Sequence, residues 1–215
     1  MRLSDESGST PSTPPTLPNT EAVYTFDTTD GQSPTHHTLY FLTDISPFLS
    51  TPDLYGEDVK ATRSQHSTEI SWVVCSLVNG RDSATGATIS TEMNTLPTPP
   101  AKNSVLVVNG NSPRTGLEQD YHDWYDQEHG AALTNVPGWN NNRRYKCEKV
   151  YLPAGGTDVA DAEKRISRRF FGFNFYDETN GLGGPEWKKG TNTVWTERIR
   201  GNAECGNLRR VWRVM

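Results

Sequence analysis

The chain lacks any long apolar run. None of its 215 residues falls in a stretch apolar enough to span a bilayer, which takes about 20 consecutive apolar residues. Its first segment, MRLSDESGSTPSTPPTLPNT, has neither a basic n-region nor an apolar h-region and does not read as a secretory signal. Cysteine is scarce: Cys75, Cys147 and Cys205 are odd in number and far apart, with no CxxC pair. That pattern argues against a disulfide framework, a zinc centre or a dithiol motif, and it fits a reducing, cytoplasmic setting. Positive charge is not in excess either. A net charge of -5 gives no polyanion-binding footprint, so Arg143-Arg144, Arg168-Arg169 and Arg209-Arg210 read as solvated strand positions or substrate-anion contacts, not as a nucleic-acid surface. The glycines from Gly181 to Gly184 lack the lysine-serine pair of a phosphate loop. No flavin, nicotinamide or heme motif is visible, and no cofactor is expected.

What is present suggests two modules, in a chain long enough for a sizeable core. The Ser/Thr/Pro bias up to Thr20 has too little apolar content to offset chain ordering, so residues 1–20 are expected to be a disordered tail. A second Pro-rich segment, residues 94–102, reads as a linker. After it, Ser104–Asn109 reads as a buried strand, Asn141–Val150 and Arg168–Asp177 (RRFFGFNFYD) as strands, and Leu208–Val214 as a last one. A helix lies between the first two, and a second opens at Gly184-Pro185-Glu186, with proline in its first turn. This β-α-β-β-α-β order over residues 103–215 is the split βαβ, ferredoxin-like arrangement.

Residues 21–93 carry the later part of the same pattern: strands at Tyr24–Thr28 and Thr38–Thr43, a helix near Leu54–Arg63 and a strand at Ile70–Val78. Asp44 closes its strand as Asp177 does, and the offset between them would put the first copy's opening strand before residue 1. The first copy is therefore expected to be truncated, lacking its first strand and helix. The sheet edge so exposed invites pairing with another chain, which makes a homodimer the expected partner state.

Candidate chemistry concentrates in Tyr121–Tyr145, YHDWYDQEHGAALTNVPGWNNNRRY. Leu117, Tyr121, Trp124, Tyr125 and Glu128 recur at helical spacing, so a helix should run from after Pro113 to about Thr134. Val136-Pro137-Gly138 then stops it and returns the chain as a strand. Tyr121, Tyr125 and His129 share one face. His129 reads either as a general acid/base, since an imidazole titrates near neutrality, or as a helix-terminal side chain bonded to a backbone carbonyl. Tyr125 is either a hydrogen-bond donor to an enolate or phenolate, or core.

His122 and His129 stand two turns apart, roughly 10 Å, too far to share an ion without other ligands, so no metal is expected and His122 with Asp126 reads as a solvated i,i+4 pair. On the following strand Arg143 and Tyr145 share one face and Arg144 the other. Asn174, alone in FFGFNFY, either faces water or makes directed hydrogen bonds in a cleft. Trp187 and Trp195, eight residues apart, read as one face of the second helix, lining core or cleft. Tyr121, Trp124, Arg143, Arg144, Tyr145, Asn174, Trp187 and Trp195 are thus the expected substrate contacts, with His129 and Tyr125 catalytic.

WYDQEHGAALTNVPGW followed by RRY, then NGLGGPEWK and Trp195, is similar to the EthD-like branch of the dimeric α+β barrel superfamily, especially its two-repeat fungal members. The resemblance covers about Ser104–Met215 well and Tyr24–Asn79 weakly. It implies an α+β fold with two ferredoxin-like antiparallel sheets packed face to face, helices outside, and a small apolar molecule held between sheet and helices. It also implies acid-base work for His129. Trp187 stands where a histidine is common after G-G-P-E, which leaves no second imidazole there. The expected activity is that of a cofactor-independent cyclase, dehydratase or isomerase on a polyketide- or terpenoid-like molecule in specialised metabolism. A cofactor-independent monooxygenase on an aromatic polyketide is the alternative within the enzyme class, and a small-molecule-binding or assembly protein the alternative outside it.

Overall fold

Among the described residues eight strands, each antiparallel to both neighbours, close into one barrel. The computed structural model describes residues 1–5, 14–50, 53–65, 68–91, 101–153 and 159–215. In chain order the elements are β1 (Arg2–Ser4), β2 (Thr20–Thr28), β3 (His36–Leu42), α1 (Ser46–Ser50), α2 (Asp53–Gln65) and β4 (Ile70–Asp82). The second half follows with β5 (Val105–Asn111), α3 (Glu118–Trp124), a π-helical turn (Tyr125–His129), α4 (Gly130–Leu133) and β6 (Trp139–Tyr151). After these come α5 (Val159–Ile166), β7 (Phe170–Tyr176), α6 (Pro185–Thr191), α7 (Val194–Gly201) and β8 (Leu208–Val214).

Strand alternation sorts the core into two layers. On β7, Phe171, Phe173 and Phe175 point into the barrel with Leu3, Phe26, Leu39, Val73, Leu106, Val108 and Trp212. The alternate residues face the helices: Tyr176 packs with Val107, Leu133, Val136 and Trp139, and Phe170 with Tyr121, Trp124, Tyr125 and Ile199. Burying each such side chain stabilises the fold by about 1.5–3 kcal/mol. On the first half, Phe48 of α1 and Tyr55 of α2 cover Tyr40, Trp72 and Tyr151.

The strands expected after residue 20 all form, with their ends moved by a few residues. The disordered tail does not hold over its described residues, and of the truncation the missing strand does not hold, whereas no helix is found before β2 among the described residues. Arg2–Ser4 is a strand, paired on one side with His36–Thr38 and on the other with Ile70–Trp72. Leu17 is buried, and the Pro15 carbonyl accepts a hydrogen bond from the Tyr40 hydroxyl at 3.0 Å. Residues 6–13 of the expected tail and 92–100 around the expected linker lie outside the described residues. A constant repeat offset fails because the β1–β2 connection is shorter than that between β5 and β6, and its described part, residues 14–19, carries no helix. With β1 in place the described strands close into a barrel within the chain, joined over Arg2–Ser4.

A buried ion pair holds β1. Arg2 donates through Nε to Asp58 Oδ2 at 2.9 Å and through Nη2 to Thr62 Oγ1 at 2.9 Å. Asp58 also accepts from Trp72 Nε1 at 2.8 Å. Breaking a buried pair from one side leaves the other charge uncompensated, which costs about 3–5 kcal/mol. Arg2→Ala should therefore lower the urea midpoint of unfolding by that amount of stability. An unchanged midpoint would show that β1 does not contribute to closure.

Candidate functional site

The helix expected to carry the chemistry forms, but its middle widens into a π-helical turn, Tyr125–His129, a feature that often accompanies functional sites. Its inner face sits on the outer surface of the barrel. The Tyr125 hydroxyl accepts from Asn142 Nδ2 at 3.2 Å and from Asn174 Nδ2 at 3.3 Å. Gly172 makes that approach possible, since a Cβ there would stand 2.2 Å from the hydroxyl. Asn142 also donates to the Phe173 carbonyl at 3.1 Å. Asn174 thus makes directed hydrogen bonds, but between helix and sheet and not in a cleft.

Arg144, 2% exposed, lies under this helix with its guanidinium 4.4 Å from the Tyr125 ring centroid. It donates to Asp126 Oδ1 at 2.7 Å and to His122 Nδ1 at 2.6 Å. His122 is therefore not in a solvated pair with Asp126: the arginine stands between the two and binds both. Burial, and then the Arg144 charge, lower the His122 pKa. The expectation of solvated arginines fails for Arg143, Arg144 and Arg210, all buried. A sheet that is covered on both faces has few solvated positions, and these arginines are accommodated by Asp82, Asp126 and Asp30 respectively.

His129 stacks on Trp124 with ring centroids 4.3 Å apart, and its Nδ1 lies 3.0 Å from the Gly190 carbonyl. A carbonyl can only accept, so Nδ1 carries the proton. Burial lowers its pKa to about 4, with the Gly190 bond opposing. This is the carbonyl-bonded arrangement weighed above. Trp187 and Trp195 do not share a helix face, because Asn192 ends α6 and Thr193 caps a separate α7. Trp195 instead donates to Asp120 at 3.0 Å, while Trp187 packs beside Val136 and Tyr176. Tyr121, Trp124, Tyr125, His129, Arg144 and Asn174 are therefore brought together, with Trp195 packed against the edge of their cluster, and Arg143, Tyr145 and Trp187 lie elsewhere.

A cavity of about 600 Å³ opens in the other half, lined among others by Leu39–Leu42 of β3 and Val73–Leu77 of β4. Residues from both strand faces line it: Leu39, Phe41, Val73, Cys75, Tyr145 and Phe173 from inside the barrel, and Tyr40, Phe48, Trp72 and Val74 from under α1. β1 meets β3 up to Thr38 and β4 up to Trp72, Met1 bonds on to Val73, and the cavity lies beyond that register. Beyond that register no described strand joins β3 to β4, and the cavity runs through the wall. Its volume is in the range that encloses a small-molecule ligand.

Of the residues expected from sequence, only Tyr145 lines this cavity. Its ring stands 5.1 Å from that of Phe173, its hydroxyl has no hydrogen-bond partner among the described residues, and burial pushes its pKa up. A second inward-facing polar group escaped the sequence reading. His37, 1% exposed, sits among the rings of Phe26, Trp212 and Phe173. Neither of its ring nitrogens has a partner among the described residues, and burial holds its pKa well below the usual value. The alternation in HHTLYFL, which puts His37 on the face of Leu39 and Phe41, was the available signal. Among the described residues no group of three or more His, Cys, Asp or Glu side chains could hold a metal ion, and no described helix is long and apolar enough to cross a membrane.

No protein-family model matches the chain, and no curated protein matches it in sequence. Among solved structures it is similar to one described as an anthrone oxidase-like protein, with a TM-score of 0.52 at 12% identity over 92% of this chain and 78% of that one. At that identity the likeness shows a shared barrel fold.

The depressed His129 pKa has a signed consequence. In the unfolded chain the imidazole titrates near its ordinary 6.5, and in the folded chain at about 4. Above pH 6.5 both states are neutral. As pH falls from there toward 4 the unfolded chain takes up the proton first, and stability is lost. In an NMR titration the His129 ring signals should stay in the neutral form down to about pH 5. A midpoint near 6.5 would mean that the ring is not sealed against Gly190.

Proposed function

We propose that the chain is an enzyme that binds a planar, phenolic polycyclic molecule of the aromatic polyketide type in the cavity between β3 and β4 and oxygenates it there without a cofactor. The observation that carries this reading is the cavity itself, of about 600 Å³, walled by Phe41, Phe48, Trp72 and Phe173 and holding one unpartnered phenol, Tyr145. Aromatic walls select flat apolar ring systems by area and by edge and face contacts. The Tyr145 hydroxyl, kept protonated by burial, would donate to a substrate oxygen and stabilise the anion that forms there.

The chemistry follows from the substrate class. A benzylic methylene flanked by phenolic rings gives a stabilised anion that itself reduces dioxygen. The carbon loses two hydrogens and becomes a carbonyl, the O–O bond breaks, and the second oxygen leaves as water. The name of the structural neighbour, anthrone oxidase-like protein, supports oxidation over the cyclase, dehydratase or isomerase reading drawn from residues. So does the position of His129, whose Nδ1 is engaged by Gly190 and which does not line the cavity. His37 stands with its ring 6.4 Å from that of Phe173, one side chain removed from the cavity wall. The strand order supports reading each half as a ferredoxin-like unit, since β4-β1-β3-β2 and β8-β5-β7-β6 both run fourth, first, third, second. This is what membership of the EthD-like branch, and a role in specialised metabolism, would require.

A second reading, a carrier of the same molecule, is favoured by the lack of a described histidine on the cavity wall. A hydroxylated anthrone separates the two. An oxygenase consumes dioxygen and forms quinone in equal amounts, and Tyr145→Phe lowers kcat/KM about ten-fold through loss of one hydrogen bond. Binding without oxygen uptake would leave the carrier, and no binding would overturn both.

A further inference from the structure

The three cysteines are remote in sequence, yet β4 and β6 set Cys75 and Cys147 directly opposite each other. The Cys147 N–H donates to the Arg169 carbonyl at 2.9 Å. Its backbone therefore points to β7, and the Cys75–Cys147 position is a non-hydrogen-bonded pair with respect to β4. Such pairs hold their Cα atoms about 4.5 Å apart with side chains close, within the range a disulfide can bridge. The two thiols are near enough to shift each other's titration in opposite directions. Ser167 Oγ lies 3.6 Å from the Cys147 sulfur, and Cys75 lines the cavity, which gives a small oxidant a path to the pair.

We propose that Cys147 and Cys75 form a peroxide-reactive dithiol that closes to a cross-strand disulfide in the cavity wall. Cys147 is the attacking sulfur. Its pKa is drawn down to about 7, chiefly by the neighbouring Cys75 thiol and with help from Ser167 against the cost of burial, while that of Cys75 is pushed up. A thiolate beside a resolving thiol is the arrangement of redox-sensitive cysteines. The Cys147 thiolate attacks one oxygen of a hydroperoxide such as hydrogen peroxide, the O–O bond breaks, and hydroxide leaves, giving a sulfenic acid. The Cys75 sulfur then displaces hydroxide from that sulfur, its own proton goes to the leaving group, and the S–S bond forms. The two sulfurs lose two electrons, and the hydrogen peroxide is reduced to one water and one hydroxide, which becomes a second water with the proton that the Cys147 thiol had released. Cys205 has no such neighbour and stays a thiol.

The experiment treats the full chain with a few equivalents of hydrogen peroxide at pH 7, alkylates the remaining thiols with N-ethylmaleimide, and maps the digest by mass spectrometry. The proposal expects a Cys75–Cys147 cross-linked peptide, one alkylated cysteine at Cys205, and no intermolecular disulfide. With Cys75→Ser the expected product is a Cys147 sulfenic acid trapped by dimedone, and the rate of Cys147 alkylation at pH 7 falls several-fold. Oxidation of Cys147 to sulfinic acid in the parent chain while Cys75 remains alkylatable would overturn the proposal. So would alkylation of Cys147 no faster than that of Cys205.

Discussion

The buried contact between Arg2 and Asp58 is what the rest of the molecule depends on. An eight-stranded barrel needs every place in its wall filled, and the place between β3 and β4 is filled by three residues. Arg2–Ser4 make too few ladder bonds to hold that position alone. The guanidinium of Arg2, bonded to Asp58 and Thr62 of α2, clamps the strand to a helix, and Trp72 of β4 donates to the same carboxylate. The clamp therefore joins the strand, its neighbour in the wall and the helix that covers them. A buried ion pair contributes little net stability against a well-packed apolar alternative, but its directionality fixes register, and the register of β1 decides where the wall stops being continuous.

The cavity lies beyond that register. Below it β3 and β4 are bridged by β1, and above it their side chains diverge, so Tyr40 and Trp72 from the outer layer and Phe41 and Phe173 from the inner one face a single space. The second half follows the opposite logic. Its four strands pair over most of their length, and the helix side is filled by aromatic rings and an amide and guanidinium network around Tyr125. Side chains with the chemistry for catalysis are used there to fix a helix on a sheet. In the first half, ordinary lining residues surround usable space.

Most of the second half was legible in the sequence because its elements carry strong periods. FFGFNFY alternates, Tyr121, Trp124 and Tyr125 recur at helical spacing, and Val136-Pro137-Gly138 marks the reversal. The polar network was half legible: Asn174 stood out as anomalous, but periodicity cannot say which side of a strand is the inside of a barrel, and Arg144 read as a solvated position or a substrate contact because strand arginines are usually exposed. The break between α6 and α7 turns on Thr193 as a cap, a local hydrogen bond invisible to an eight-residue spacing. A three-residue strand has no period at all, so β1 was hidden in a Ser/Thr/Pro-biased segment. The cavity was hidden with it, since its walls come from both faces of β3 and β4, which a strand's period does not tell apart. The Cys75–Cys147 pair likewise depends on strand register, which sequence separation conceals.

The central claim is that the ligand site lies in the barrel wall of the first half and not beneath the aromatic helix of the second. A crystal structure of the chain soaked with a hydroxylated anthrone tests it most directly. The account predicts density between β3 and β4, stacked against Phe41 or Trp72 and with an oxygen within hydrogen-bond distance of the Tyr145 hydroxyl. Density displacing the Trp124–His129 stack, with the β3–β4 space empty, would contradict it.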